Sequence, residues 1–390
     1  MKYYSFGEPS GRIIGYSQDF TVYTATIVRS KENVVQPERK VAPQGEFYFG
    51  YGPSTGGMIE SVGIDFLTPG ELITEARVNP NYKLRNLNVR GRTIGDASLI
   101  AERINAFHCA SHSIAFASAV EDALGFHLPD GVGCTRIIAL ELERIRSNLL
   151  VIERMCQPAG FGVPVNQLAL LREEVSRVVS RATGHRYFFN SISPGYSQLN
   201  LSGIDNAVSR ISSVFSRIYD DLLESKIFMN RLINNGKVSA DSLIGPAARA
   251  SGHAFDARMD SPTLPYSQFG FTPVLHETSD AFARFQVRSD EILQSARIIS
   301  EAIKVASTTS KMETLEGDGE GAARVESPQG DLFYYVKIKN STVRDIVMVS
   351  PSSLNIAAFA QSMKGNIFTD FHFNWESFGI WISEAGVMLQ

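Results

Sequence analysis

Between Asp96 and Ala306 this 390-residue chain carries five long segments with helical periodicity, and they decide the architecture. Ala97 to Leu124 is one run rich in small residues. Thr135 to Met155 places Ile137, Ile138, Leu142, Ile145, Leu149 and Ile152 at helical spacing. Asn166 to Thr183, Ser202 to Ile233 and Asp280 to Ala306 complete the set. Several exceed the usual length of a globular helix, and antiparallel packing into a central bundle is the simplest way to bury their apolar stripes. Strand signals flank this region. Thr21 to Val28, Glu46 to Phe49 and Ile64 to Leu67 are rich in β-branched and aromatic residues, with turns at Gly52-Pro53 and Pro69-Gly70. Beyond Lys311, Arg324 to Ser327, the turn Pro328 to Gly330, Leu332 to Ile338 and Asp345 to Val349 read as a hairpin or meander. A short helix near Asn355 to Ser362 leads into an aromatic tail. The expected fold is α+β: a central bundle of long α-helices flanked by small β regions at the N- and C-terminal ends. Its divisions fall at 1–90, 91–310 and 311–390, and the two β regions can pack together beside the bundle.

Composition narrows the function classes. No stretch approaches the roughly 20 apolar residues that span a bilayer, and Met1 to Phe20 lacks a signal-peptide layout. The formal net charge of -4 gives no bulk attraction for nucleic acid. Cys109, Cys134 and Cys156 form no Cys-x-x-Cys pair, and their odd number argues against a disulfide framework. They read as small buried hydrophobes in a reducing, cytoplasmic setting. Of the 7 histidines only His108 and His112 share a helix face at i,i+4, a spacing that can hold a metal. Packing or hydrogen bonding is the plainer role for them. There is no phosphate loop, no HExxH and no GxSxG.

The order of short signatures says more than any one of them. Gly52-Pro53 and Gly70-Glu71 come first. Glu102-Arg103-Ile104-Asn105, His108, His112 and Glu121 open the bundle, and Leu142-Glu143-Arg144 and Asn148 follow. Then come Thr183-Gly184, Pro194-Gly195, Gly245 to Gly252 with Arg249, Asp256-Ala257-Arg258, and Gly321 to Gly330 with Glu326. This series resembles the large subunit of energy-converting [NiFe]-hydrogenases and its relative, the 49 kDa (D-type) subunit of respiratory complex I. The resemblance runs from about residue 50 to the C-terminus.

The resemblance implies a site, and this sequence departs from it. Such hydrogenases hold nickel and iron with two Cys-x-x-Cys pairs, since soft thiolates suit those metals. The first pair falls on Asn105 and His108, the second on Trp381 and Glu384. Cys109 is one residue out of phase, so it faces elsewhere on a helix. The histidine that follows the first pair is kept as His112. The family's proton-carrying Arg-Gly-x-Glu is Arg85-Asn86-Leu87-Asn88 here, and an amide has no proton to relay. The arginine of Glu-x-Pro-Arg-Gly is Gln329. In complex I a histidine and a tyrosine bind quinone; their counterparts are Thr55 and Ala106, while Asn105 and Glu384 resemble an Asp and a Glu there. Arg103, Glu121, Arg144, Arg249, Asp256 and Arg258 match as scaffold, where buried ion pairs fix helix contacts.

These matches imply a peripheral subunit on the cytoplasmic face of the inner membrane. Its partners would be a small iron–sulfur subunit of the hydrogenase small-subunit type and membrane subunits of antiporter-like and quinone-site kind, with no nucleic acid. It would carry no [NiFe] centre, the iron–sulfur cluster belonging to a partner. Asn105, His108, His112, Asn88 and Glu384 would line the old cavity, closed by the C-terminal region. Two alternatives stand beside this structural or coupling role within an NADH-quinone oxidoreductase-like complex. One is quinone reduction in the cavity by electrons from the partner's cluster. The other is a non-nickel metal at His108, His112 and Glu384, a set that suits iron or zinc.

Overall fold

The computed structural model describes residues 4–16, 20–29, 41–238, 243–308 and 315–390. Strands β1 (Ser5–Phe6), β2 (Ile13–Tyr16), β3 (Phe20–Tyr23) and β4 (Thr26–Arg29) form a sheet of order β1-β4-β3-β2. Strands β5 (Phe47–Tyr51), β6 (Gly63–Thr68) and β7 (Glu75–Asn79) form an antiparallel second sheet, followed by the short β8 (Arg85–Leu87). The bundle comprises α1 (Ile94–Ala101), α2 (Cys109–Leu124), α3 (Asp130–Cys156) and α4 (Gly162–Thr183). After a hairpin of β9 (Ile192–Ser193) and β10 (Tyr196–Ser197) come α5 (Ile204–Glu224), α6 (Lys226–Leu232), α7 (Gly245–Arg249) and α8 (Ala281–Ala302). Strands β11 (Gly319–Ser327), β12 (Gly330–Lys339) and β13 (Thr342–Val349) make an antiparallel meander. The chain ends with α9 (Pro351–Ser362), α10 (Phe371–Phe378), α11 (Ile382–Ala385) and β14 (Val387–Leu389).

Helix α3 is the axis of the fold. Of its 27 residues only Asp130, Gly131 and Arg154 escape burial. It packs against α4 and α8, and the core joins these helices to α2, α5 and the inner face of the C-terminal meander. The N-terminal sheet lays Ile14, Phe20, Val22 and Ile27 on Phe333, Tyr335 and Val349, so the β regions from the two ends do pack together.

Three boundaries differ from the sequence expectation, each for a local reason. The run from Ala97 to Leu124 is not one helix. It breaks after Ala101, and Asn105 caps the following turn by accepting the Phe107 N–H. Helix α2 then starts at Cys109, where the buried Glu143 carboxylate accepts the Ala110 and Ser111 N–H groups at 2.7 and 3.0 Å. A carboxylate on free amides at the positive end of a helix stabilises that break. The run from Ser202 to Ile233 likewise divides at Ser225, whose hydroxyl caps α6. The aromatic tail folds into α10 and α11, and β14 pairs in parallel with β8, Val387 opposite Arg85 and Leu389 opposite Leu87. That pairing carries residues 381–385 against the break between α1 and α2.

The meander meets α2 through glycine. A Cβ at Gly321 would lie 2.3 Å from the Ala123 nitrogen and 2.5 Å from the Ala119 oxygen, both backbone atoms that cannot swing away. Gly321→Ala is therefore expected to lower stability by about 1–3 kcal/mol. Urea unfolding of the full chain checks this; an unchanged midpoint contradicts the close approach.

Candidate functional site

The break before α2 and the turn of α11 place one carboxylate among several donors. Glu384 Oε1 accepts Asn105 Nδ2 at 2.8 Å and contacts His108 Nδ1 at 2.5 Å. His112 Nε2 stops 3.5 Å from the same oxygen without forming a full hydrogen bond. Glu384 Oε2 accepts the hydroxyls of Ser350 and Ser352 at 3.0 and 3.4 Å. All these side chains are buried. Burial alone raises the Glu384 carboxyl, but His108 first and then His112 oppose it, and it lies well below the usual carboxylate range.

The hydrogen bonds assign the ring tautomers. His108 Nδ1 faces an ionised carboxylate and so donates, and its Nε2 lies 3.3 Å from Ser147 Oγ. Tyr334 OH lies 2.8 Å from His112 Nδ1. Burial, with Glu384 adding to it, pushes the Tyr334 phenol far up, so the phenol keeps its proton and donates. His112 Nε2 then carries a hydrogen toward Glu384. The Glu384 carboxylate is thus ringed by hydrogen-bond donors from separate parts of the chain.

A second layer fixes the first. Gln329 Nε2 donates to Ser147 Oγ at 3.0 Å, and Gln329 Oε1 accepts Arg288 Nη2 at 2.8 Å. Arg288 also donates to Asn148 Oδ1 and to the carbonyls of Ser377 and Phe378. Arg85 bridges the Ile104 and Ser383 carbonyls, each one residue before a cluster member, at 2.6 and 2.8 Å. The Trp381 ring stacks on Phe107 at 5.0 Å and meets His108 edge-on.

Asn105, His108, His112, Gln329 and Glu384 thus converge, with Arg85 and Trp381 as their supports. Two expected members do not join. Asn88 is exposed just after β8. Thr55 sits half-buried in the loop after β5, where Tyr51 OH reaches Gly56 O and His372. No hydrogen bond ties either residue to the cluster. Among the scaffold residues, Arg103 pairs with Glu102 and lies over the Phe189 ring at 4.9 Å, its side chain half exposed. Glu121 is held by Arg136 and by the Gly195 N–H. Arg144, Arg249, Asp256 and Arg258 meet in a separate buried ionic cluster.

Sequence reading missed Ser147, Arg288, Tyr334, Ser350 and Ser352. Only Arg288 carried a signal, a cation between Phe285 and Ile292 on a buried helix face.

The donor set can be tested against the metals the resemblance implies. A nickel–iron pair needs thiolates. The four motif positions offer an amide, an imidazole, an indole and a carboxylate. Cys109 lies buried by Ser113 and Glu143, and burial first, then Glu143, pushes its thiol far up. Cys156 is pushed up by burial to about 12. This donor set does not fit. The two-His, one-carboxylate alternative does not fit this geometry either. His108 and Glu384 touch each other at 2.5 Å, leaving no gap for an ion, and no group of three or more His, Cys, Asp or Glu among the described residues is arranged to hold one.

Comparison with known proteins bears on the fold. Residues 160–316 match the family described as respiratory-chain NADH dehydrogenase, 49 Kd subunit. The D-type subunit of NADH-quinone oxidoreductase from Citrifermentans bemidjiense is 27% identical over 363 residues, 82% of this chain and 92% of the relative. Membrane-bound hydrogenase subunit alpha of Pyrococcus furiosus is 26% identical over 356 residues, 82% of each chain. A chain in the structure of the membrane-bound sulfane sulfur reductase, an archaeal respiratory membrane complex, superposes with a TM-score of 0.80. It is 20% identical and covers 87% of this chain and 98% of the other.

Glu384→Gln would set an amide donor against Asn105 and His108. The expected loss at pH 7 is about 3–5 kcal/mol in urea unfolding. Because the folded Glu384 carboxyl is depressed, its contribution is present above the ordinary value of 4.5 and is lost as pH falls below it. The variant should therefore show a shallower acid limb than the wild type; equal limbs contradict the assignment.

Proposed function

We propose that this chain, a member of the family that includes the D-type subunit of NADH-quinone oxidoreductase and membrane-bound hydrogenase subunit alpha, is a peripheral subunit of a membrane-associated respiratory assembly. Its former metal position is filled by the Glu384 cluster, and the subunit serves structure and coupling rather than hydrogen chemistry. The observation that carries this reading is the donor set: every motif position ends on an oxygen, a nitrogen or an indole, and each cluster donor is directed at Glu384.

Three further features support it. Among the described residues no helix is long and apolar enough to cross a membrane, which agrees with attachment through partner subunits. The scaffold residues Glu121, Arg144, Arg249, Asp256 and Arg258 are all engaged in buried ion pairs that hold the helices in place. The pairing of β14 with β8 locks the C-terminal segment over the cluster. In this reading a small iron–sulfur subunit binds one side, antiporter-like and quinone-site subunits bind the membrane side, and the whole lies on the cytoplasmic face.

Quinone reduction at the old cavity finds less support. A quinone carbonyl needs free donors, and Asn105 Nδ2 and His108 Nδ1 are both committed to Glu384. Thr55, the counterpart of a quinone-binding histidine, is not bonded to the cluster.

Purification of the intact complex, with elemental analysis and assays of hydrogen, formate and quinone turnover, tests the proposal. The expected result is co-purifying iron–sulfur and membrane subunits, no stoichiometric nickel in this chain and no hydrogen turnover. Stoichiometric nickel in this subunit overturns it. So does quinone turnover that is abolished by His112→Ala in a complex that still assembles.

A further inference from the structure

A second buried cluster has an unequal charge count. Its cations are Arg144 on α3, Arg249 on α7 and Arg258 in the loop that follows. Its anions are Glu141 on α3, Asp256, Glu291 on α8 and Glu326 on β11, and every side chain is at most 1% exposed. Three guanidiniums thus face four carboxylates. The next cation, Arg288, feels Glu291 but ends on Asn148, Gln329 and backbone carbonyls, and among the described residues it forms no ion pair.

The four carboxylates are not held alike. Glu141 receives Arg144, Arg258, Tyr266 OH and Ser295 Oγ. Asp256 receives Arg258 through two nitrogens at 2.9 and 2.7 Å, and Arg249 at 3.0 Å. Glu291 receives Arg249 and Arg258 at 2.7 and 3.3 Å, and Asn148. Among the described residues Glu326 has only Arg249 Nη1 at 2.7 Å, the nitrogen that also serves Asp256, and the Ala257 N–H at 3.0 Å. Arg144 passes beside it but donates to the backbone carbonyls of Glu326 and Ser327. Asp331, its partner across the strand pair, adds a further negative charge, itself held by Arg324. A surplus buried charge is removed most easily by protonating the carboxyl with the weakest cationic support.

We propose that Glu326 holds a proton in the folded chain at neutral pH, and that exchange of this proton is a switch acting on the turn that carries Gln329. Ionised Glu326 would repel Asp256 and Asp331 from the end of β11. The Ser327–Gly330 turn follows directly, and through it Gln329 reaches Ser147 and Arg288 beside the Glu384 cluster. Burial first, and Asp256 next, push the Glu326 carboxyl up to about 7, in line with this geometry. The inference does not depend on the subunit assignment above.

The test uses the full chain. An amide mimics a protonated carboxyl, so at pH 6 Glu326→Gln should unfold at or above the wild-type midpoint, whereas Glu291→Gln, which removes a carboxylate held by two guanidiniums, should unfold below it. A raised folded carboxyl contributes stability below its ordinary value of 4.5 and loses it as pH rises through about 7. Between pH 5 and 8 the wild-type unfolding constant should therefore rise relative to that of Glu326→Gln, on the order of 100-fold. In carbon-13 spectra one glutamate carboxyl resonance, missing in Glu326→Gln, should titrate near neutral pH. A Glu326→Gln chain that fails to fold or is as damaged as Glu291→Gln at pH 6 overturns the proposal, as does a Glu326 resonance that titrates in the ordinary carboxylate range.

Discussion

A carboxylate taken out of water must be met by hydrogen-bond donors or cations, or it will not stay ionised. Glu384 meets that requirement with donors drawn from separate parts of the chain: Asn105 and His108 before α2, His112 within it, and Ser350 and Ser352 at the start of α9. The C-terminal segment is thereby tied to the helix bundle by charge as well as by the β14–β8 pairing. Without such a charge, two imidazoles and an amide would be buried with nothing to receive their hydrogens. The break between α1 and α2 belongs to the same arrangement, since it turns Asn105 and His108 toward the carboxylate.

The bundle repeats the principle on a larger scale. Helix α3 is buried almost throughout yet carries Arg136, Glu141, Glu143, Arg144 and Arg146. Each has a partner. Arg136 pairs with Glu121, Glu143 accepts the first amides of α2, and Arg146 donates to the Phe107 and Arg186 carbonyls. Buried ion pairs of this kind add little net stability, but removing one member strands the other. They fix which helix lies beside which. A scaffold so specified can hold its shape while its sequence drifts, and the match in fold to a chain of a respiratory membrane complex at 20% identity agrees with that.

Much of this was legible in the sequence. Periodicity gave the bundle, the flanking β regions and their packing together. The i,i+4 spacing put His108 and His112 on one helix face, and the family resemblance implied that Asn105, Gln329 and Glu384 meet them. What the sequence did not reveal was set by tertiary contacts. The break after Ala101 depends on Glu143, far along the next helix but one. Ser147, Tyr334, Ser350 and Ser352 are ordinary residues whose role exists only once distant elements meet. Asn88 and Thr55 matched by register, but Asn88 is exposed, Thr55 is half-buried in a loop, and neither bonds to the cluster. Three serines and a tyrosine without spacing or motif leave no pattern to read.

The central claim is that Glu384 bonds directly to Asn105 and His108 in the folded chain. A high-resolution cryo-EM map of the chain in its native complex tests it most directly. The account predicts continuous density between His108 and Glu384 at hydrogen-bond distance, with Asn105 on the same oxygen. A separated imidazole and carboxylate with a metal-strength peak between them would contradict it.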